Sequence, residues 1–459
     1  MSNALTRQAN RELSTPGSRY EALNLTDNPF PSEPAVLPES PDPRLNGKIY
    51  CAELHEDKQA AFNRLLIPRP NGPKVRPLVF LMDHASARGR GIGKTAFLSR
   101  RQNDIAKDLG ASASESQEVV FALHVVPPVT PPLRKFWELA RHICDRMVEA
   151  KVFLQAMCRM RAQFPDLPEG VIDKAGEPEQ WPDTIGSDAW LRDFGFDTPH
   201  ELSSYLLRRL RGAGVREELA SKLAHFGTSV EKLRKWMIEE CSDNWWRVDG
   251  GKLLFDDVVK VLREAGFTRG LLLVDEVEKI ILPQNSTERR NFVEALRYFL
   301  IDGTCESAKR SFYGVVLTIH PGIQSLLLQH WKTAGLDRSA PLHDPDVKQN
   351  EISFGPLKAE DANKLILEYL NYFRLNDSKE ELRPFTNAAI QAALVRSKHV
   401  PGPMLNLLHN VIEGAIEDNV TSIDEEFVKQ VYDEIKVDQM AEPPVDQLPT
   451  PTRTLLDSK

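Results

Sequence analysis

The sequence is short of several things at once, and each shortage removes a class of protein. Its cysteines, Cys51, Cys144, Cys158, Cys241 and Cys305, are odd in number and widely separated. Neither a disulfide framework nor the paired spacing of a zinc site is suggested, and a reducing compartment fits best. No apolar run approaches the roughly eighteen residues that a membrane-spanning helix needs. The first residues, Met1-Ser2-Asn3-Ala4-Leu5-Thr6-Arg7, lack the basic-then-apolar plan of a signal peptide. Positive charge is in deficit too: a formal net charge of −8 gives the chain as a whole no pull on nucleic acid, although a local basic patch stays compatible with it. A soluble, cytoplasmic protein with no membrane partner is expected.

What is present is enough apolar sequence for two or three domains, 41% of 459 residues. Residues 1–45 are punctuated by Pro29, Pro31, Pro34, Pro38, Pro41 and Pro43 and read as an extended arm. Its apolar cluster, Leu23, Leu25 and Phe30, either docks on the body or a neighbouring subunit or lies in a surface loop, the second being the expectation. Residues 438–459 read as a disordered tail. Between these ends, Pro77-Leu78-Val79-Phe80-Leu81-Met82 and Val119 to Val126 are apolar runs of the kind that buried parallel strands show. They frame a helical stripe, so residues 46–130 read as strand, loop, helix, strand. Residues 131–252 read as a helical insertion. The α/β pattern returns over 253–350, with strands at Leu271–Val274 and Phe312–Leu317 and a helix opened by Asn285 and Glu288. Residues 351–437 show no strand and read as a four-helix subdomain, one helix capped by Thr386. The fold class that follows is α/β: a parallel sheet sandwiched by helices, with a helical insertion and a C-terminal helical lid.

Two motifs carry chemistry. In Arg88-Gly89-Arg90-Gly91-Ile92-Gly93-Lys94-Thr95-Ala96, glycines let the backbone turn its N–H groups inward and the helix that follows adds positive potential at its N-terminus. Lys94 then reaches the β and γ phosphates of a nucleotide, and Thr95 offers its hydroxyl to Mg²⁺. Gly89, Gly91, Ile92, Gly93, Lys94, Thr95 and Ala96 are the candidate phosphate-binding residues. Against the strict pattern, Arg88 replaces the first glycine and Gly89 stands one place late. The second motif, Leu271-Leu272-Leu273-Val274-Asp275-Glu276, puts two carboxylates at the C-terminal end of a buried strand, where ligands bind in parallel α/β sheets. Asp275 would hold Mg²⁺ through water, and Glu276 would orient and polarise the attacking water. Together they make the chain a candidate P-loop NTPase that binds and hydrolyses Mg·ATP. His84, His124 and His320 lie near strand ends but lack metal-ligand spacing.

With both motifs in this order, the chain resembles the AAA+ ATPases, within them the initiator-like branch of origin-recognition and Cdc6-type proteins and bacterial transposition ATPases. The resemblance covers roughly residues 45–130 and 255–437. It implies a switch or assembly ATPase with ATP and Mg²⁺ as cofactors, working as a homo-oligomer or hetero-complex through its ATP site. A protein partner is implied, DNA is an open second partner, and the processes are DNA-associated ones such as replication, transposition or antiviral defence. In that family a small polar residue on the next strand, sensor 1, helps place the water; Thr318 after Leu317 matches it. The arginine that reaches a neighbouring subunit's ATP is matched by Arg338 in Leu336-Asp337-Arg338-Ser339, with Arg289, Arg290 and Arg297 as competitors. The family's sensor 2 arginine corresponds to Met404 in Gly402-Pro403-Met404. With that contact missing, hydrolysis would be slow or partner-gated, and the alternative is a signalling or defence switch that holds ATP and recruits an effector. In the insertion, tryptophans with Arg134, Arg208, Arg209 and Arg211 make either a recognition surface or, as expected, a helical core.

Overall fold

The computed structural model describes residues 19–441 apart from 35, 37–39, 69–74, 85–90, 112–118, 179, 197–198, 241–250, 304, 310, 343–348 and 376–380. The described chain divides into two compact units, one made by Ala52–Gly355 and the other by Met1–Cys51 with Pro356–Lys459.

The larger unit is built on a parallel sheet of β1 (Leu78–Asp83), β2 (Val119–Val125), β3 (Phe267–Val274), β4 (Tyr313–Ile319) and β5 (Glu351–Phe354), in the order β2-β3-β4-β1-β5. The apolar runs become strands because both faces of the sheet are covered, so most positions carry an apolar side chain. Alternate residues feed two cores. Leu78, Phe80 and Met82 of β1, Leu272 and Val274 of β3, and Val315 and Leu317 of β4 face one of them. Val79, Leu81, Leu271, Leu273 and Val316 face the other, which is closed by α1 (Glu56–Leu66) and α2 (Lys94–Ala111) through Phe62, Leu66, Phe97 and Leu98.

The first core is covered by α3 (Phe136–Glu149), α4 (Val152–Arg161), α5 (Pro199–Gly212), α6 (Glu217–Phe226), α7 (Gly251–Glu264), α8 (Ser286–Leu300) and α9 (Pro321–Thr333). The helices of 131–252 therefore share one core with the sheet: Leu139, Ile143, Met147, Leu206 and Leu223 pack in the same cluster as Phe121 and Val258. Trp236 is buried there, Trp137 packs against it, and Trp190 belongs to a satellite cluster with Phe164 and Leu191. Three of the four arginines singled out in this stretch meet carboxylates, Arg209 with Glu264, Arg211 with Glu217 and Arg134 with Glu288. Trp245 and Trp246 lie outside the described residues. Asn285 and Glu288 form the reciprocal capping box of α8 that their spacing implies.

In the smaller unit, α10 (Ala359–Phe373), α11 (Asn387–Arg396), α12 (Pro401–Glu417) and α13 (Glu425–Ala441) make the expected four helices, and Thr386 caps α11 by accepting from the Ala389 N–H. Two expectations need correction. Residues 351–354 are a strand of the sheet, because Ile352 and Phe354 bury on it while Glu351 and Ser353 alternate with them. The N-terminal arm is not a surface loop. Leu25 and Phe30 are fully buried, with the Phe30 ring 5.8 Å from Tyr369 and 5.9 Å from Phe385. The Thr26 N–H donates to the Phe373 carbonyl at 2.7 Å, and Glu413 of α12 accepts from Arg19, Tyr20 and Asn28. Helix α13 runs to Ala441, and the remainder of the tail lies outside the described residues. No described helix is long and apolar enough to cross a membrane.

The pairing of β2 with β3 depends on Gly270, because a Cβ placed there would stand 2.4 Å from the Phe121 ring. Gly270→Ala is expected to lower unfolding stability by about 1–3 kcal/mol, read as a fall in the urea midpoint at unchanged slope.

Candidate functional site

Asp83, His124, Asp275 and Thr318 stand at or just past the C-terminal ends of the strands, whereas Arg269 is buried near the start of β3. Register sets their level. Leu81 of β1 is opposite Thr318 of β4, and Val274 of β3 is opposite Leu317, so Thr318 stands level with Asp275. Between β1 and α2 the chain makes a loop in which Gly91 and Gly93 take φ of 82° and 93°, a region that glycine enters without a Cβ clash. The Phe97 N–H donates to the Gly93 carbonyl as the first bond of α2, so the N–H groups just after Gly93 lie in the helix's first turn, where an anion is favoured. Gly89 lies outside the described residues; Ile92 is buried in the core beneath the loop, and Lys94, Thr95 and Ala96 open the helix.

The fold brings the two motifs together. Thr95 Oγ donates to Asp275 Oδ2 at 2.6 Å, across 180 residues of sequence. Asp275 is buried and its backbone continues the β2 ladder by donating to the Val125 carbonyl. A further neighbour is His124 at the end of β2, whose Nε2 lies 3.4 Å from Asp275 Oδ2 while Nδ1 lies 3.3 Å from Ser99 Oγ of α2. An ionised carboxylate only accepts, so the Nε2 side of the ring is the donor to Asp275. Burial by itself would raise the Asp275 pKa; the bonds from His124, Thr95 and the Glu276 N–H outweigh it and hold the carboxyl below its usual range. The group is thus ionised and oriented from three sides.

Glu276 follows with φ of 47°, a left-handed conformation that is uncommon for a residue with a Cβ. Its carboxylate is partly exposed and forms an ion pair with Lys279 one helical turn on. Lys94 Nζ lies 3.2 Å from Oδ2 of Asp83, the last residue of β1, and both side chains are buried. Of the remaining sequence candidates, Thr318 is buried at the strand end, and Arg338 is exposed on the turn Leu336–Arg338, with no hydrogen bond or ion pair to a described residue. Arg289 and Arg297 are engaged by the Ile281 and Ala334 carbonyls, and Arg290 lies 3.8 Å from Glu294. Met404 is buried within the smaller unit. His320 caps α9 by accepting from Gly322, and His84 lies 2.6 Å from Glu351.

Asp83, Ser99 and His55 are neighbours that the motifs do not name. Asp83 has a sequence signal, being the first polar residue after an apolar strand and directly before the loop. His55 has none. Its ring packs 5.8 Å from Phe97 and 5.5 Å from Phe354 and props the Gly93 turn from below. Burial, with a contribution from Lys58, pushes its pKa down to about 4.

No family model and no curated protein matches the chain. Among solved structures, the ORC2 protein of Aeropyrum pernix in ADPNP-ADP complexes aligns with 87% of this chain and 69% of its own, at 12% identity and a TM-score of 0.41.

A histidine held neutral when folded but free to protonate when unfolded costs stability as pH falls. The loss begins near the ordinary value of 6.5 and is complete near 4. The melting temperature of His55→Phe is therefore expected to fall less than that of the wild type between these two pH values, the two curves running parallel above about 7.

Proposed function

We propose that the protein is a nucleotide-driven switch that binds Mg·ATP at the C-terminal edge of its sheet and hydrolyses it to change its association with a macromolecular partner. The observation that carries this is the meeting of Thr95 with Asp275 beside the first turn of α2, with Lys94 next to Thr95. A hydroxyl and an ionised carboxylate offer the hard oxygen donors that Mg²⁺ takes, and Mg²⁺ is commonly held by only one or two protein groups with phosphate and water completing its shell.

In this mechanism the N–H groups at the start of α2 and the Lys94 amine hold the phosphates, while Thr95 and Asp275 hold the cation. The bound cation would screen the phosphate oxygens and lower the cost of charge developing on the leaving group. Glu276, fixed by its backbone conformation and Lys279, accepts a hydrogen bond from the attacking water and orients it, and Thr318 supports that water from the neighbouring strand. The His124 and Ser99 chain keeps Asp275 ionised and correctly turned. Arg338, exposed, is available to complete the site of an adjoining subunit. DNA-associated or antiviral-defence work with a protein partner is the setting that the family resemblance favours. Met404 supports a second reading, a switch that holds ATP and recruits an effector with little turnover, since it has no charge to offer a phosphate.

Steady-state ATP hydrolysis and equilibrium Mg·ATP binding test the proposal. Lys94→Ala is expected to abolish binding at micromolar nucleotide. Glu276→Gln should retain binding and lose turnover by about a hundredfold or more. Turnover by the wild type that both variants preserve would sink the proposal, whereas tight binding without turnover in the wild type would select the second reading.

A further inference from the structure

We propose that His124 makes the cation site prefer Mg²⁺ to Ca²⁺, by holding an oxygen of Asp275 that the larger ion needs. The inference rests on the nucleotide-site reading above and concerns the ion which that same site selects.

An ionised carboxylate has about four lone-pair positions and no proton to give. Among the described residues, Asp275 commits three of them to the protein. Oδ1 accepts from the Glu276 N–H at 2.9 Å, while Oδ2 accepts from Thr95 Oγ at 2.6 Å and faces His124 Nε2 at 3.4 Å. Oδ2 is thus filled from two sides, and Oδ1 keeps one position for a cation or for water bound to one. The His124 contact is long for a hydrogen bond, but the ring that makes it is well held. His124 is buried, its backbone N–H donates to Gln102 Oε1, and its Nδ1 lies 3.3 Å from Ser99 Oγ. Gln102 and Ser99 belong to α2, the helix that also carries Thr95, and on the other side the backbone of His124 pairs with Leu273 of β3. One helix therefore sets both groups that fill Oδ2.

The two common hard cations ask different things of a carboxylate. Mg²⁺ is small, keeps several of its waters and needs only a single contact from such a group, whereas Ca²⁺ gathers more oxygens and often takes both from one carboxylate. An Asp275 with Oδ2 filled serves the first ion and not the second. To draw on both oxygens, Ca²⁺ has to displace the Thr95 hydroxyl or the His124 ring. Thr95 is itself a candidate ligand, so the ring is the part that discriminates.

The test uses the full chain and a non-hydrolysed ATP analogue. Its binding is measured by calorimetry in millimolar Mg²⁺, in millimolar Ca²⁺ and in excess chelator, beside the melting temperature of each variant without nucleotide. The wild type is expected to bind the analogue more tightly with Mg²⁺ than with Ca²⁺. His124→Leu and His124→Phe, which donate nothing to Asp275, should narrow that preference about tenfold and leave binding in chelator unchanged. His124→Gln, whose amide nitrogen reaches the place of Nε2, should retain the preference. Ser99→Ala leaves the ring but removes its anchor on α2; it should act in the same direction by less, and it carries the test where neither His124→Leu nor His124→Phe folds. An unchanged preference in the folded variants would overturn the proposal, as would equal losses with both ions or a wild type that does not discriminate between them. Failure of the wild type to bind the analogue under every condition would instead remove the nucleotide reading on which it rests.

Discussion

Burial of the sheet on both faces is the constraint from which the rest follows. A strand covered above and below has little place for a polar side chain away from its ends: Asp83, His124, Asp275 and Thr318 stand at the C-terminal ends, and Arg269, buried near the start of β3, donates to the Ser311 and Arg76 carbonyls. The same helices that exclude water from the strands exclude it from these termini. Charged groups there meet each other in a poorly screened environment, where each hydrogen bond to Asp275 weighs more than it would at a surface. Hydrophobic packing and site chemistry are in this sense one design.

The parts of the molecule legible in the sequence are those whose signal is local. The strands at 78–83, 119–125, 267–274 and 313–319 are built on apolar runs long enough to be seen, and the caps at Asn285 and Thr386 are spelled by neighbouring residues. The strand at 351–354 escapes such a reading. As an edge strand it pairs only with β1 and needs only Ile352 and Phe354 to be apolar, and four residues are too few to show a period. Docking of the arm escapes for another reason. Leu25 and Phe30 are visible as an apolar cluster, but the groups that receive them, from Tyr369 to Glu413, lie more than three hundred residues away.

The candidate site divides in the same way. Lys94, Thr95, Asp275 and Glu276 are named by motifs, and the meeting of Thr95 with Asp275 follows once strand order is known. His124 shows itself in the sequence only as a lone histidine; its role depends on β2 and β3 being neighbours in register. His55 belongs to an element that no motif includes, and only the packing of α1 and α2 on one face of the sheet brings it under Gly93. Residues that touch a ligand tend to be written in local patterns, and residues that hold those in place are written in topology.

The smaller unit is assembled from the two ends of the described chain, with Ala52–Gly355 emerging from the ribosome between them. At about 5–20 residues per second, Phe30 waits roughly a quarter of a minute to a minute before Tyr369 and Phe385 have been made. All five strands of the larger unit are made within that interval, while the partners that bury Phe30 in the folded unit are still to come. Order of synthesis therefore means that the smaller unit cannot close around Phe30 until Tyr369 and Phe385 have been made, by which point every strand of the sheet has already been synthesised.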